Sequence, residues 1–415
     1  MIARCALVVC GAALLLGVAG CRTARPSDRV AAPEPIGPWL AASPELASFA
    51  ERAPELRVQI VVGRLEPDSG GRPALRQVGY RDGAEYFYPA SSVKTFAAVA
   101  ALERLAELRA ATGLPIDRDT ALAYHPLFEG ETLETSDPTH LAGGTITVGH
   151  EVRKLAIVSD NESFNKLYEL VGQDGLTRSL ARAGLTEPRL VHRLSEIRSA
   201  EENRRVPRID FRGAGFEYTL PERTSAPLDP PPPMPGLLVG DAYMSGETRV
   251  DEPMDFAAKN RMSLADLQRG LCTLVRPDAD CGGAPFALGE DDRAFLVGAM
   301  TEVPRESADP RFDTAEYPDH WGKFLLPGLT RVLPQERWRI VNKIGRAYGF
   351  STENAWVEDR ATGRGLFVAA TIYTNADGVL NDDRYDYETV ADPFFAALGE
   401  AVARSLSADW QGQPL

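Results

Sequence analysis

The chain has 415 residues, 44% of them hydrophobic, enough to build one large domain or two without cysteine staples. Its formal net charge of −14 argues against a nucleic-acid partner, because phosphate backbones bind basic surface. Lysine is scarce, six residues against 39 arginines, so a lysine beside a nucleophilic side chain stands out.

Residues 1–20 read as a targeting signal. Arg4 is the short positive start, and Cys5 to Val18 is an apolar run too short to span a bilayer comfortably. Small residues, Val18-Ala19-Gly20, lead into Cys21, and a cysteine directly after such a run resembles the bacterial lipobox. That resemblance implies lipid attachment at Cys21 and membrane contact through the anchor only. It also implies a place on the periplasmic face of the envelope, at the outer membrane because Arg22 follows rather than Asp. Ordinary signal cleavage is the plainer alternative. Residues 21–45 are rich in Pro and Arg and read as a tether, and 46–415 as one domain.

Within that domain, Arg57 to Leu65 and Ala74 to Tyr80 predict two strands around a Gly70-Gly71 turn. Ser92 to Arg109 is rich in helix formers and lacks glycine and proline. Thr147 to Val158 has helical apolar spacing. Asn165 to Val171 and Leu176 to Ala183 predict further helices stopped by Gly172 and Gly184. Residues 197–255 are proline-dense and weakly periodic, and read as a long insertion that is functional or disordered. Helices resume at Ser263–Val275 and Glu290–Met300. Arg337–Lys343, Asn354–Glu358 and Leu366–Tyr373 predict strands, and Pro393–Ser405 a last helix. Strands at both ends with helices between them indicate an α+β fold whose ends meet in one sheet.

Three short patterns carry candidate chemistry. Ser91-Ser92-Val93-Lys94 places a hydroxyl and an amine on one helical face. The pattern alone is weak, because Ser163-Phe164-Asn165-Lys166 repeats it, expected on the exposed face of a helix. Ser159-Asp160-Asn161 opens a helix and suits an N-cap as well as a site. Lys343-Ile344-Gly345 ends an apolar strand, where a lysine also serves as an ordinary edge charge.

Their order and surroundings go further. Glu85 to Thr95, Gly144 to Asn161 and Val341 to Ala355 together resemble the active-site-serine penicillin-recognising enzymes, the class A β-lactamases in particular. The likeness runs from about Leu56 to Leu406, broken by the proline-rich region. It implies an antiparallel sheet of about five strands flanked by helices, beside a mostly helical subdomain. It also implies a nucleophile, Ser91, served by Lys94, Ser159 and Lys343, and substrate contacts at Asn161, Gly345 and Arg346. Backbone N–H groups of Ser91 and Arg346 would form the oxyanion hole. The substrate would be a β-lactam or a peptidoglycan-like amide.

The sequence departs from that family in two places. Simple spacing puts Ser195 where the family carries its deacylating glutamate. Glu196, Glu201 and Glu202 are the nearby candidates, against the alternative of plain surface acids. Ile344 stands where a hydroxyl that contacts the substrate carboxylate is usual. Two other functions therefore stay open: a D,D-peptidase-type protein that deacylates slowly, and a non-catalytic binding lipoprotein. The histidines His125, His140, His150, His192 and His320 are scattered and read as structural; no metal or other cofactor is expected. Cys272 and Cys281, nine apart, either close a small loop in an oxidising compartment or stay free.

Overall fold

The structure, a computed structural model, describes residues 43–407. The signal, Cys21 and nearly all of the tether lie outside the described residues. The expected tether boundary at 45 gives way to a helix, α1, Pro44–Glu51, whose start is capped by the Ser43 side chain and by a proline in the first turn.

Five antiparallel strands form the main sheet: β1 Gln59–Pro67, β2 Pro73–Tyr80, β3 Trp338–Ala347, β4 Phe350–Asp359 and β5 Arg364–Tyr373. Their order is β3-β4-β5-β1-β2, so the two ends of the chain pair directly, with Gln59 opposite Thr371. β3 and β4 are joined by Tyr348-Gly349, both at positive φ (53° and 80°), a backbone shape that matches the twist of a two-residue hairpin.

Strand periodicity sends alternate residues to two cores. Ile60 and Val62 join one buried cluster, and Val61 joins the other. Both faces are covered over β3, β4 and β5, which are buried along most of their length.

The helical part is built on α2, Lys94–Thr112, which is buried from Lys94 through Glu103 and so is the central helix of its layer. α3, Val148–Ile157, and α4, Asn161–Arg182, pack beside it. Gly172 at φ 73°, ψ 164° breaks α4 where the sequence predicts a stop. α5, Leu264–Val275, covers one face of the sheet: Gln268 Nε2 donates to the Val61 carbonyl at 2.9 Å, and Asn354 Nδ2 donates to the Leu267 carbonyl at 2.8 Å. α6, Glu290–Thr301, packs on α3 and β3. α7, Asp392–Leu406, covers the other face with α1, with Phe394 against Phe49 and Phe395 against Phe324. Cys272 and Cys281 are bonded to each other. Among the described residues, no helix is long and apolar enough to cross a membrane.

Residues 197–255, read from the sequence as a proline-dense insertion that is functional or disordered, carry short strands. Ile209–Gly213 and Phe216–Leu220 form a hairpin that extends Ala121–Tyr124 into a three-stranded sheet. Ala242–Ser245 pairs with Thr248–Val250 and, in parallel, with Val379–Leu380. Each run is five residues or fewer, too short for alternation to register.

Candidate active site

The chain reaches Ser91 through a 3₁₀ turn, Ala90–Val93, that leads straight into α2. Ala90 has φ 46°, a left-handed backbone unusual for a residue with a Cβ. The two serines of the turn part ways. Ser92 is buried and spends its hydroxyl on the Pro89 carbonyl at 2.7 Å, whereas Ser91 lines an open cleft of about 830 Å³.

Lys94 opens α2 and is fully buried. Its Nζ donates to the Ser159 carbonyl (2.5 Å), the Asp160 carbonyl (3.0 Å) and Asn161 Oδ1 (2.6 Å). Three acceptors suit an ammonium. Burial first, and the charge of Lys343 second, push the other way and bring this amine well below the ordinary lysine value.

The Ser159-Asp160-Asn161 turn divides its labour. Asp160 caps α4, accepting from Ser163 N at 2.7 Å, so the N-cap reading holds for that residue. Ser159, at φ 63°, offers its carbonyl to Lys94 and its hydroxyl to Lys343, whose Nζ donates to Ser159 Oγ at 2.7 Å. Asn161 accepts from Lys94 with Oδ1 and donates to Ser195 Oγ with Nδ2 at 2.8 Å.

Lys343 is not at a strand end, as the sequence suggested, but inside β3, and it is buried. Burial pushes its amine down to about 7; Glu353 pulls upward and Lys323 pushes further down. Residues two apart share a strand face, so Gly345 turns the same way as Lys343. A Cβ on Gly345 would lie 2.3 Å from the Pro89 carbonyl oxygen and 2.9 Å from the Ser91 amide nitrogen. Only a bare backbone fits against the Ser91 turn. Ile344 faces the opposite way, in the core shared with Phe324 and Phe395. The Ile344 side chain therefore contributes to packing under the sheet. Arg346 lines the cleft, but its guanidinium is drawn off to Asp392 and to Ser351 Oγ (3.1 Å), stacked over Phe324 and Tyr387. What Arg346 can offer a substrate is its backbone.

The facing wall is the 191–204 segment. Ser195 is exposed at φ 57°. Glu196 lines the cleft, yet Oε1 accepts from Asn165 Nδ2 (2.8 Å) and Oε2 pairs with Arg198 Nε (3.2 Å). Glu202 accepts from the Ser199 N–H at 2.7 Å, and Glu201 is exposed. The sequence reading undervalued His192. It lines the cleft beside Tyr88, donates from Nδ1 to the Arg193 carbonyl (2.6 Å), and is held neutral by burial, its pKa down at about 4. No local pattern marks it; only the fold brings it to Tyr88.

The arrangement thus joins a cleft-lining serine, two buried amines bridged by Ser159, and a side-chain-free strand edge against the Ser91 amide. That combination suits attack of a hydroxyl on a carbonyl, with proton transfer through an amine and a second hydroxyl.

Residues 45–215 match the family model Beta-lactamase2, described as a β-lactamase enzyme family. No curated protein sequence matches. Among solved structures, the chain is similar to a β-lactamase from Desulfarculus baarsii at 19% identity and TM-score 0.48, over 89% of this chain and 98% of that one. It is similar to one from Xanthomonas campestris pv. campestris at 21% identity and TM-score 0.43, over 87% and 97%. It is also similar to a class A β-lactamase from Clostridium kluyveri at 14% identity and TM-score 0.45, over 86% and 97%.

Proposed function

We propose, taking the β-lactamase-family match over residues 45–215 as premise, that the chain is a serine hydrolase acylated at Ser91 by a β-lactam or a related peptide amide. The observation that carries this reading is the convergence of Lys94, Ser159, Asn161, Lys343 and Gly345 on the Ser91 turn from two helices and a strand.

In this mechanism Ser91 Oγ bonds to the substrate carbonyl carbon as its proton passes to the neutral Lys94 amine. The amide N–H groups of Ser91 and Arg346 hold the developing oxyanion. The C–N bond then breaks, and Ser159 relays a proton to the leaving nitrogen, leaving an ester on Ser91. Water releases the acid and restores the hydroxyl. Lys343, charged below about pH 7, draws the substrate carboxylate to the cleft. Lipid attachment at Cys21 and a periplasmic location belong to the same proposal; the Cys272–Cys281 bond is the kind an oxidising compartment sustains.

One observation favours slow deacylation, as in a D,D-peptidase. The cleft glutamate has both oxygens engaged, by Asn165 and Arg198. Labelling with a fluorescent penicillin followed by an unlabelled chase tests both readings. A covalent label on wild type and none on Ser91→Ala is expected, with the label lasting through the chase. Rapid loss with release of hydrolysed penicillin supports the faster enzyme. No label on wild type overturns the acylation proposal and leaves a binding protein.

A further inference from the structure

Away from the cleft, His140 and His150 meet at the start of α3, their ring centroids 4.3 Å apart. Asp309 comes from a segment 169 residues further along and is fixed above them. Its Oδ1 accepts from Leu141 N at 2.9 Å, and its carbonyl accepts from Arg153 Nε at 2.7 Å. Neither bond uses Oδ2, which lies 3.8 Å from His140 Nε2. A ring nitrogen of each histidine and a carboxylate oxygen of Asp309 all fall within 4.8 Å of one another.

The hydrogen bonds around His150 decide its tautomer. Nε2 sits 3.1 Å from Thr139 Oγ1 and 3.3 Å from Asp137 Oδ2, and Asp137 is anchored by Lys154 Nζ at 2.6 Å. A proton on Nε2 satisfies the carboxylate and leaves the lone pair on Nδ1. That nitrogen is buried, on a side chain 1% exposed, and has no hydrogen-bond partner among the described residues. His140 Nδ1 is buried and unpartnered in the same way. Leaving a buried polar atom unpaired is unfavourable, so two such nitrogens within one pair of adjoining imidazoles call for an occupant.

We propose that His140, His150 and Asp309 form a binding site for a divalent transition metal of the zinc class. Two imidazoles and one carboxylate are a donor set for such ions, whereas calcium and magnesium favour oxygen alone. Asp137 behind His150 is the carboxylate that orients a metal-ligating imidazole. Zinc bonds of about 2.0–2.2 Å require the three donors to draw together by roughly 1 Å. Asp309, 36% exposed at its side chain, is the one on the open side and leaves an entry path. A bound ion would tie the Asp309 segment to α3. Lys154, on the same helix, lies 3.9 Å from Asp160 Oδ1, so the site is linked to the Ser159 turn. Asp137, His150 and Glu151 also lie within 4.8 Å of one another, but all three are buried and Asp137 is already paired with Lys154.

Calorimetric titration of the untagged, metal-stripped chain with Zn²⁺, together with Co²⁺ absorption, tests the site. One ion per chain is expected, with a Zn²⁺-dependent rise in melting temperature. His140→Ala and Asp309→Asn, at the two less buried ligands, should weaken binding at least about tenfold and abolish the thermal shift, and Glu151→Gln should bind as wild type. Three results would each overturn the assignment: no stoichiometric uptake by wild type, unchanged binding by His140→Ala and Asp309→Asn, or binding lost only in Glu151→Gln.

Discussion

The chain carries Ser-x-x-Lys twice, and the fold treats the two copies oppositely. Both lysines are buried. Lys94 faces carbonyls and an amide oxygen, with Lys343 nearby, and its amine is pushed well below the ordinary lysine value by burial and by that like charge. Burial also works against Lys166, but Glu151, Glu162 and Glu134 outweigh it and raise its amine above the ordinary value. The sequence reading put Ser163 and Lys166 on an exposed face; they are inside, with Ser163 fully buried. One copy holds an amine whose charge burial and a like charge disfavour, and the other pairs its charge with surrounding carboxylates. Spacing cannot separate a base from a strut; the neighbours' charges can.

Replacing each lysine by the unbranched Met gives the largest expected contrast. Lys94→Met should slow acylation of Ser91 about 10²–10⁴-fold, the usual worth of a positioned base. Lys166→Met should leave the rate within about threefold while costing roughly 1–3 kcal/mol in denaturant unfolding, because its carboxylates lose their partner. Wild-type acylation should rise with pH through the depressed Lys94 value, since only the neutral amine accepts a proton. It should then fall above about 7, where Lys343 loses the charge that attracts the substrate carboxylate. A rate that keeps climbing toward the ordinary lysine value of 10.5 would erase the distinction between the two motifs.

A second contrast lies in what packs against each serine. Gly345 lets β3 lie on the Ser91 turn, and a methyl there meets backbone at 2.3–2.9 Å, with no flexible side chain to yield. Gly345→Ala should lower the acylation rate by about 10–100-fold and destabilise the chain by about 1–3 kcal/mol, measured by stopped-flow labelling and thermal melting. An unchanged rate would show that the strand edge does not position Ser91.

Much of this was legible in the residues, for physical reasons. The five long strands and the helices carrying the first two motifs are long enough for their pattern to declare them, and β3, β4 and β5 appear within a few residues of the expected bounds. The short strands between 205 and 255 are not legible, because two to five residues hold too few alternations. Motif residues could be named from the sequence, but not their partners. The Ser159 carbonyl that accepts a hydrogen bond from Lys94 has no side-chain signature, and Glu134 reaches Lys166 from a loop 32 positions away. His140, His150 and Asp309 belong together only after folding.

The smallest expected effect bears on the same division between engaged and available groups, now among carboxylates. Glu196 lines the cleft beside the expected glutamate position, yet its oxygens serve Asn165 and Arg198, on the wall opposite the lysines. Each oxygen keeps a second lone pair, but the two contacts hold the group in a local clasp between Asn165 and Arg198. Glu196→Gln keeps the shape and an acceptor for Asn165, so the lifetime of the penicillin label on Ser91 should change by less than about threefold. A lengthening of 100-fold or more would mean that the clasp opens in the acyl-enzyme and that Glu196 is the water-activating base, returning the 191–204 wall to the chemistry.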